Sequence, residues 1–251
     1  MALDEDAWGI VILACLLAAS LGSLALHRRF PSRRRDEETL SVVRLTANIF
    51  VVMTSLILGL LINSAKNTLD SVDRNIHAFA TGLVMLDRWL QHYGTDADTA
   101  RQRLFAFAEH AGRMIDDYQG AASDRDGERM LNDVGASIDA LRPQDAEGRA
   151  AVQVAQQQFL RLTELRWLIA STRRGTIPLP LVALVVASLM LVFASYAWRA
   201  PSNAAVAASF VVASLLLTAA IVLILDMDRP FTGPVRVSAD PVLRAIADMR
   251  R

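Results

Sequence analysis

Long uncharged runs alternate with polar stretches along the chain, and this pattern predicts its helices. Four runs contain no charged residue, and they cover residues 8–26, 45–62, 181–198 and 204–225. Each is close to the roughly 20 apolar residues with which a helix crosses the hydrocarbon core of a membrane. None shows the strict alternation of a half-buried strand. The pattern therefore predicts four transmembrane helices, with a first pair in residues 1–62 and a second pair in residues 181–225.

The polar stretch between the second and third runs carries apolar residues at helical spacing. A stripe with spacings of three and four runs from Leu69 to Tyr93, as in helices that pack against partners. Gly94 is expected to end this helix, and the following TDAD to cap the next one. Three more such stripes follow, interrupted by the loop-like QGAASDRDG and by Pro143. The sequence thus predicts an all-α protein in which a four-helix bundle, residues 63–180, is inserted between the second and third spans.

Composition narrows the function classes. The chain is 53% hydrophobic with a formal net charge of zero, and this balance does not favour nucleic-acid binding. A single cysteine, Cys15, excludes a disulfide within one chain. The sequence has no phosphate-binding glycine loop, paired-cysteine motif or His-Glu-x-x-His motif, so we predict neither an enzyme nor a cofactor or metal. His77 and His110 would approach one another in a hairpin about Gly94, but solvated histidines explain them without a metal.

A polar stripe runs along the second predicted span. On a helical wheel at 100° per residue, six polar or small residues fall on or beside one line. They are Arg44, Asn48, Ser55, Gly59, Asn63 and Lys66. Polar groups on a spanning helix face protein or water, because contact with lipid is costly. The stripe is therefore either a packing seam, with Asn48 and Ser55 bonded to neighbouring helices, or the lining of a pore whose cationic mouths would attract anions.

A second cluster of polar residues follows the fourth run, in the segment LDMDRPFTGPVRV. Its candidate residues are Asp226, Asp228, Arg229, Pro230, Phe231 and Gly233. The helix dipole opposes a carboxylate at a helix C-terminus, so Asp226 needs a partner. The two aspartates either tie residues 226–251 to the base of the bundle as a structural clasp or bind a cation. Phe231 is expected to anchor in the membrane interface, and Asp240 to cap a last short helix.

The Asp-x-Asp-x-Pro-Phe-x-Gly core of this segment resembles the closing motif of the bestrophin-like family of bacterial membrane proteins. The segment LDRWLQHYG, followed by Arg101 and Leu104, resembles the central region of that family. The resemblance implies an inner-membrane homo-oligomer that conducts ions, mostly anions as in true bestrophins, with the lipid bilayer and an inorganic ion as its partners. The alternative is a membrane-anchored sensor or scaffold whose bundle binds a small ligand or a protein.

The arginine distribution predicts the orientation of the spans. The loop HRRFPSRRR between the first two spans holds five arginines, and the residues before the first span hold none. Because basic flanks favour the cytoplasm, the N-terminus, the bundle and the C-terminus are predicted on the periplasmic face. The resemblance to true bestrophins implies the opposite, a cytoplasmic bundle.

Alkaline phosphatase fusions at Arg125 and Ser32 test this orientation. We expect phosphatase activity at Arg125 and none at Ser32, because the arginine-rich loop is retained in the cytoplasm. Fusions of a reporter that is active only in the cytoplasm serve as the control and should give the inverse pattern. Phosphatase activity at Ser32 alone would reverse the topology.

Overall fold

Helices make up the regular secondary structure of this computed structural model, which describes residues 5–29, 37–116, 125–171, 177–198, 200–201, 203–231 and 235–251. In chain order the α-helices in these ranges are α1 (Glu5–Arg29), α2 (Glu37–Tyr93), α3 (Asp98–Asp116), α4 (Arg125–Asp139), α5 (Ala146–Ser171), α6 (Leu179–Ala197), α7 (Ala204–Met227) and α8 (Asp240–Met249). No strand occurs within them. The predicted all-α class is therefore confirmed.

Four of the described helices are long and apolar enough to cross a membrane. The candidate spans are Ala7–Leu26, Ser41–Tyr93, Leu179–Ala197 and Ala204–Met227. They contain or closely match the four uncharged runs of the sequence, which confirms four candidate membrane-spanning helices. α2 continues unbroken to Tyr93, because no proline interrupts its hydrogen-bond ladder.

The described residues group into two compact units, which divide α2 after Asn67. The first unit lies within Met1–Asn67 and Thr176–Asp228, and it contains α1, the first part of α2, α6 and α7. The second unit lies within Thr68–Gly175 and Arg229–Arg251, and it contains the rest of α2 together with α3, α4, α5 and α8. The four uncharged runs all fall in the first unit.

In the first unit, α1 packs against both α6 and α7. It buries a row that recurs every four residues, consisting of Ile12, Leu16, Ser20 and Leu24. Two of the buried serines in this unit use carbonyl groups of their own helices, whereas the hydroxyl of a third, Ser214 in α7, has no hydrogen-bond partner among the described residues. Ser20 Oγ donates to Leu16 O at 2.9 Å, and Ser188 Oγ in α6 donates to Leu184 O at 2.8 Å. These hydroxyls can therefore lie between apolar helices without a partner from another helix.

In the second unit, the predicted apolar stripes form one core. The core includes Ile76, Leu83, Leu86, Leu90, Leu104, Phe107, Val134, Ile138 and Leu162, each with at most 1% of its surface exposed. Phe79 and Phe107 meet edge to face, with ring centroids 6.1 Å apart. Val242, Ile246 and Met249 of α8 belong to the same core. The last helix is thus an integral part of this unit.

An ion pair joins α2 to α3 in this unit. It gives Asp87, in the LDRWLQHYG segment, a structural partner in Arg101. Arg101 Nε donates to Asp87 Oδ1 at 2.9 Å, and Nη2 donates to Oδ2 at 3.4 Å. This hydrogen bond raises the pKa of the Arg101 guanidinium further above its usual range. Because the Asp87 side chain is only 9% exposed, the pair fixes the register of two packed helices.

Gly94 separates these two helices, as the sequence predicts. Its φ of 104° is in the region that favours glycine, and α2 ends one residue before it. The following Thr95–Ala97 forms a 3-10 turn, so the TDAD segment does more than cap α3. The backbone N–H of Ala97 closes this turn on Gly94 O at 3.0 Å.

Two predicted boundaries are shifted. α4 begins at Arg125, inside the QGAASDRDG segment that the sequence predicts as a loop. α8 is capped by Ala239, so Asp240 is its first residue and not its cap. The hydroxyl of Ser238 accepts the Asp240 N–H at 3.1 Å and supplies the expected side-chain acceptor from two residues earlier.

Candidate functional site

The polar stripe of α2 lies on the outside of the first unit. All six residues are exposed: Arg44, Asn48, Ser55, Gly59, Asn63 and Lys66. No atom outside its own helix lies within 4 Å of the position that a Cβ on Gly59 would occupy. At Gly59 the stripe therefore faces away from the other helices of its own unit.

A different face of α2 packs against the first unit. Its buried residues are Ala47, Thr54, Leu61 and Ala65, at most 6% exposed. At 100° per residue, this buried face is centred about 120° around the helix from the stripe. Most of these residues are small, and α2 uses little of its surface for this contact. The stripe is thus not the main packing seam within one subunit.

One stripe residue has a partner inside the unit. Tyr196 Oη, close to the end of α6, donates a hydrogen bond to Asn48 Oδ1 at 2.9 Å. Both side chains remain exposed. For Asn48, the expected bond to a neighbouring helix is therefore present, although the residue is not buried. Sequence reasoning missed Tyr196, and the available signal was a hydroxylated aromatic residue inside an apolar span.

Two cations mark the ends of the stripe. Arg44 and Lys66 are the only charged residues between Glu38 and Asp70. Their separation of 22 positions corresponds to roughly 33 Å along an α-helix, close to the thickness of the hydrocarbon core. Each cation therefore falls near one membrane surface when α2 spans the bilayer, and the uncharged polar residues fall between them.

An apolar flank lies beside the stripe. Ile49 is 61% exposed, Leu56 is 66% exposed and Leu60 is 62% exposed. On the helical wheel these residues lie on the side of the stripe away from the buried face. α2 consequently presents to its surroundings a stripe that carries its polar residues, with the exposed side chains of Val52 and Ile62 among them, and an apolar flank beside it.

The aspartates of the C-terminal motif are buried in the first unit. Asp226 is 7% exposed and Asp228 is 3% exposed. Asp228 Oδ2 accepts a hydrogen bond from the backbone N–H of Ile177 at 3.0 Å. Ile177 lies just before α6, so the carboxylate joins the end of α7 to the beginning of α6. This contact holds two helices of the first unit together. The clasp that would tie residues 226–251 to the base of the bundle stays a prediction, as does the cation site.

The rest of the motif belongs to the second unit. Pro230 O accepts the Val237 N–H at 2.9 Å, and Arg229 is exposed. Phe231 is 7% exposed and lies in the same core as Val237. The expectation that Phe231 anchors in the membrane interface is wrong, because the apolar face of α8 belongs to this core and gives the ring a protein environment. Gly233 lies outside the described residues.

Three of the four histidines belong to the second unit, where His77 and His92 are exposed and His110 is half-buried. His77 Nδ1 lies 3.1 Å from the carbonyl oxygen of Asp73 and 3.7 Å from its Oδ2. Within the part of the chain that the structure describes, no group of three or more histidine, cysteine, aspartate or glutamate residues is arranged to hold a metal ion.

Comparisons with known proteins agree with this architecture. A family model described as Bestrophin-like domain matches residues 14–242. A crystal structure of a bacterial Bestrophin homolog from Klebsiella pneumoniae, carrying one mutation, aligns with a TM-score of 0.67 and 12% identity over 96% of this chain and 97% of that chain. A second mutant of the Klebsiella pneumoniae homolog aligns with a TM-score of 0.63 and 14% identity over 96% and 98%.

A structure described as a membrane protein aligns with a TM-score of 0.66 and 13% identity over 96% of both chains. At such identities the structural likeness establishes the fold and nothing finer. No curated protein matches the sequence.

Replacement of Asp228 separates the clasp from a cation site. Asp228→Ala removes the acceptor and leaves the Ile177 N–H unpaired, so we expect it to destabilise the protein by roughly 1–3 kcal/mol. Asp228→Asn retains an acceptor oxygen and should cost about 1 kcal/mol or less. Thermal unfolding of the protein in mild detergent, with and without divalent cations, measures both effects. A stabilisation by cations that disappears in Asp228→Asn, with unfolding otherwise unchanged, would establish the cation site instead.

Proposed function

The chain belongs to the Bestrophin-like domain family, whose model matches residues 14–242, and from this premise we propose that it forms a homo-oligomeric ion channel in the bacterial inner membrane. The polar stripe of α2 lines the pore. The observation that carries this proposal is the exposure of all six stripe residues on a membrane-spanning helix whose buried face lies elsewhere. Polar groups that face lipid are costly, and a water-filled axis between several copies removes that cost.

In this proposal, residues 63–180 form an extramembrane helical bundle inserted between the second and third spans. The transmembrane pairs occupy residues 1–62 and 181–225, and residues 226–251 carry the C-terminal motif and α8. The shared core of α2, α3, α4 and α5 in the second unit supports this arrangement. The arginine-rich loop between the first two spans supports a periplasmic bundle.

The two cations give the pore its ion preference. In an oligomer, each copy contributes Arg44 near one mouth and Lys66 near the other. Rings of positive charge raise the local concentration of anions, and a low-dielectric surrounding strengthens this effect. Asn48, Ser55 and Asn63 add uncharged hydrogen-bonding groups between the rings. The proposed channel therefore prefers anions.

Assembly uses surfaces that the single subunit leaves exposed. The apolar flank of α2 packs against a neighbouring copy. Ala14, Ala18 and Gly22 form an exposed row on α1, and small residues at this spacing let helices approach closely in lipid. A monomeric mass by native mass spectrometry in mild detergent would contradict the oligomer.

A sensor or scaffold is the second candidate, and a groove in the second unit favours it. The groove lies between α3 and α8, has a volume of about 580 Å³, and is lined in part by Arg113, Asp116 and Leu243. An ion pair between Arg250 and Glu109, 2.7 Å apart, crosses it. In this alternative, a small charged ligand binds the groove and α2 only anchors the bundle.

Cysteine accessibility tests the pore lining directly. In a Cys15→Ser background, Ser55→Cys places a thiol on the stripe, and Leu56→Cys places one on the apolar flank at nearly the same depth. A thiol reacts as its thiolate, which forms in water and not in lipid. We expect a charged methanethiosulfonate to modify the cysteine at position 55 at least about tenfold faster than the one at position 56. Equal rates, or no reaction at position 55, would contradict the pore lining.

Charge reversal at the mouths tests the ion preference. In planar bilayers under a potassium chloride gradient, the wild-type oligomer should give a small anion-preferring conductance. Lys66→Glu should lower the chloride-to-potassium permeability ratio roughly tenfold, because it replaces a ring of cations by carboxylates. Lys66→Arg keeps the charge and is the matched control. The scaffold would remain as the function if the purified oligomer gave no current. The same would follow if neither Arg44→Glu nor Lys66→Glu changed the chloride-to-potassium permeability ratio.

A further inference from the structure

We propose that Tyr196 is a positioning residue for anion selectivity, which it sets by fixing the orientation of the Asn48 side-chain amide. The proposal rests on the proposed pore and names a determinant of its selectivity. Its basis is the hydrogen bond from Tyr196 Oη to Asn48 Oδ1 at 2.9 Å, between two side chains that both remain exposed.

The hydrogen bond to Tyr196 determines which end of the Asn48 amide can bind a partner in the proposed pore. An asparagine amide has one acceptor oxygen and an NH₂ group with two donors. The oxygen is engaged by Tyr196, and within the described part of the chain this is the contact that the amide makes with another side chain. The NH₂ group is therefore the end that remains for a partner outside the subunit. A partner that accepts hydrogen bonds, such as an anion or water, matches it.

The opposite orientation of the amide is less favourable. A tyrosine hydroxyl can also accept, so a flipped Asn48 could donate its NH₂ group to Tyr196 Oη. The phenolic proton would then have to be donated to water, whereas the orientation in the structure lets the hydroxyl donate to Oδ1 within the subunit. The bond thus satisfies Tyr196 and turns the NH₂ group of Asn48 outward in a single arrangement.

Asn48 is well placed to act on an anion that has entered the pore. It lies one helical turn beyond Arg44, on the same line of α2. Arg44 concentrates anions at the mouth through its charge, and a ring of amide N–H groups at the next turn replaces part of the hydration shell of the anion. Because the amide is neutral, it discriminates against cations without holding the anion as strongly as a second charged ring would.

A purely structural role for the bond makes a different prediction. If the contact only holds α2 against α6, its loss changes the stability of the oligomer and leaves the ion preference unchanged. If Tyr196 acts through Asn48, its loss changes the ion preference, and that change disappears once Asn48 has no amide. The chloride-to-potassium permeability ratio therefore distinguishes the two roles.

The experiment is a double-mutant cycle on purified oligomers in planar bilayers under a potassium chloride gradient. Tyr196→Phe keeps the ring and removes the hydroxyl, and it should lower the permeability ratio roughly threefold, the order of effect of one hydrogen bond. Asn48→Ala should lower the ratio at least as much, and the double variant should equal Asn48→Ala. Tyr93→Phe, in the second unit, is the matched control and should leave the ratio unchanged.

The outcomes separate this inference from the proposed function. A wild-type oligomer without current overturns the channel itself. An anion-preferring wild type whose ratio is unchanged in Tyr196→Phe, or whose two single effects add in the double variant, overturns the role of Tyr196 and leaves the channel intact. If Tyr196→Phe does not assemble, Asn48→Leu decides, because it removes the amide N–H group without adding a charge. Its permeability ratio should fall at least roughly threefold, and an unchanged ratio overturns the inference.

Discussion

The cost of placing polar groups in hydrocarbon controls the organisation of the first unit. Charged residues are absent from its four long apolar runs, and Ser20 and Ser188 bond to carbonyl groups of their own helices. α2 is the exception, because Asn48, Ser55 and Asn63 lie exposed along its spanning part. Within the single chain, Asn48 is bonded to Tyr196, and the exposed polar groups of α2 are the basis of the proposed assembly around a water-filled axis.

The surface of α2 is divided among three environments, and side-chain size follows this division. The face turned to its own unit is built largely from small residues such as Ala47 and Ala65, which permit close packing over a narrow strip. The polar stripe and the apolar flank take the rest of the circumference. A helix that contacts its own subunit so sparingly has most of its side-chain surface left for contacts in an assembly. The axial position of α2 in the proposed oligomer would use this surface.

Patterns along the chain predict much of this architecture, because they depend on local spacing. Uncharged runs predicted the spans, stripes with spacings of three and four predicted the core around Leu83 and Leu104, and Gly94 predicted the end of α2. Contacts between distant positions leave no such signal. Asn48 and Tyr196 are separated by 148 positions, and Ile177 and Asp228 by 51. The burial of Phe231 also depends on distant elements, because it requires the apolar face of α8 to pack on α3.

The division of the chain into two units gives the C-terminal motif a physical explanation. The boundary falls between Asp228 and Arg229. The short segment around it therefore ends helix α7 in the first unit and enters the apolar core of the second unit at Phe231. Asp228 serves the first task through the Ile177 N–H, and Phe231 serves the second within the core that α8 completes. A cation at the aspartates would have to compete with this backbone donor for Asp228. The order of Asp228 and Phe231 along the segment thus follows the order of the two units that they contact.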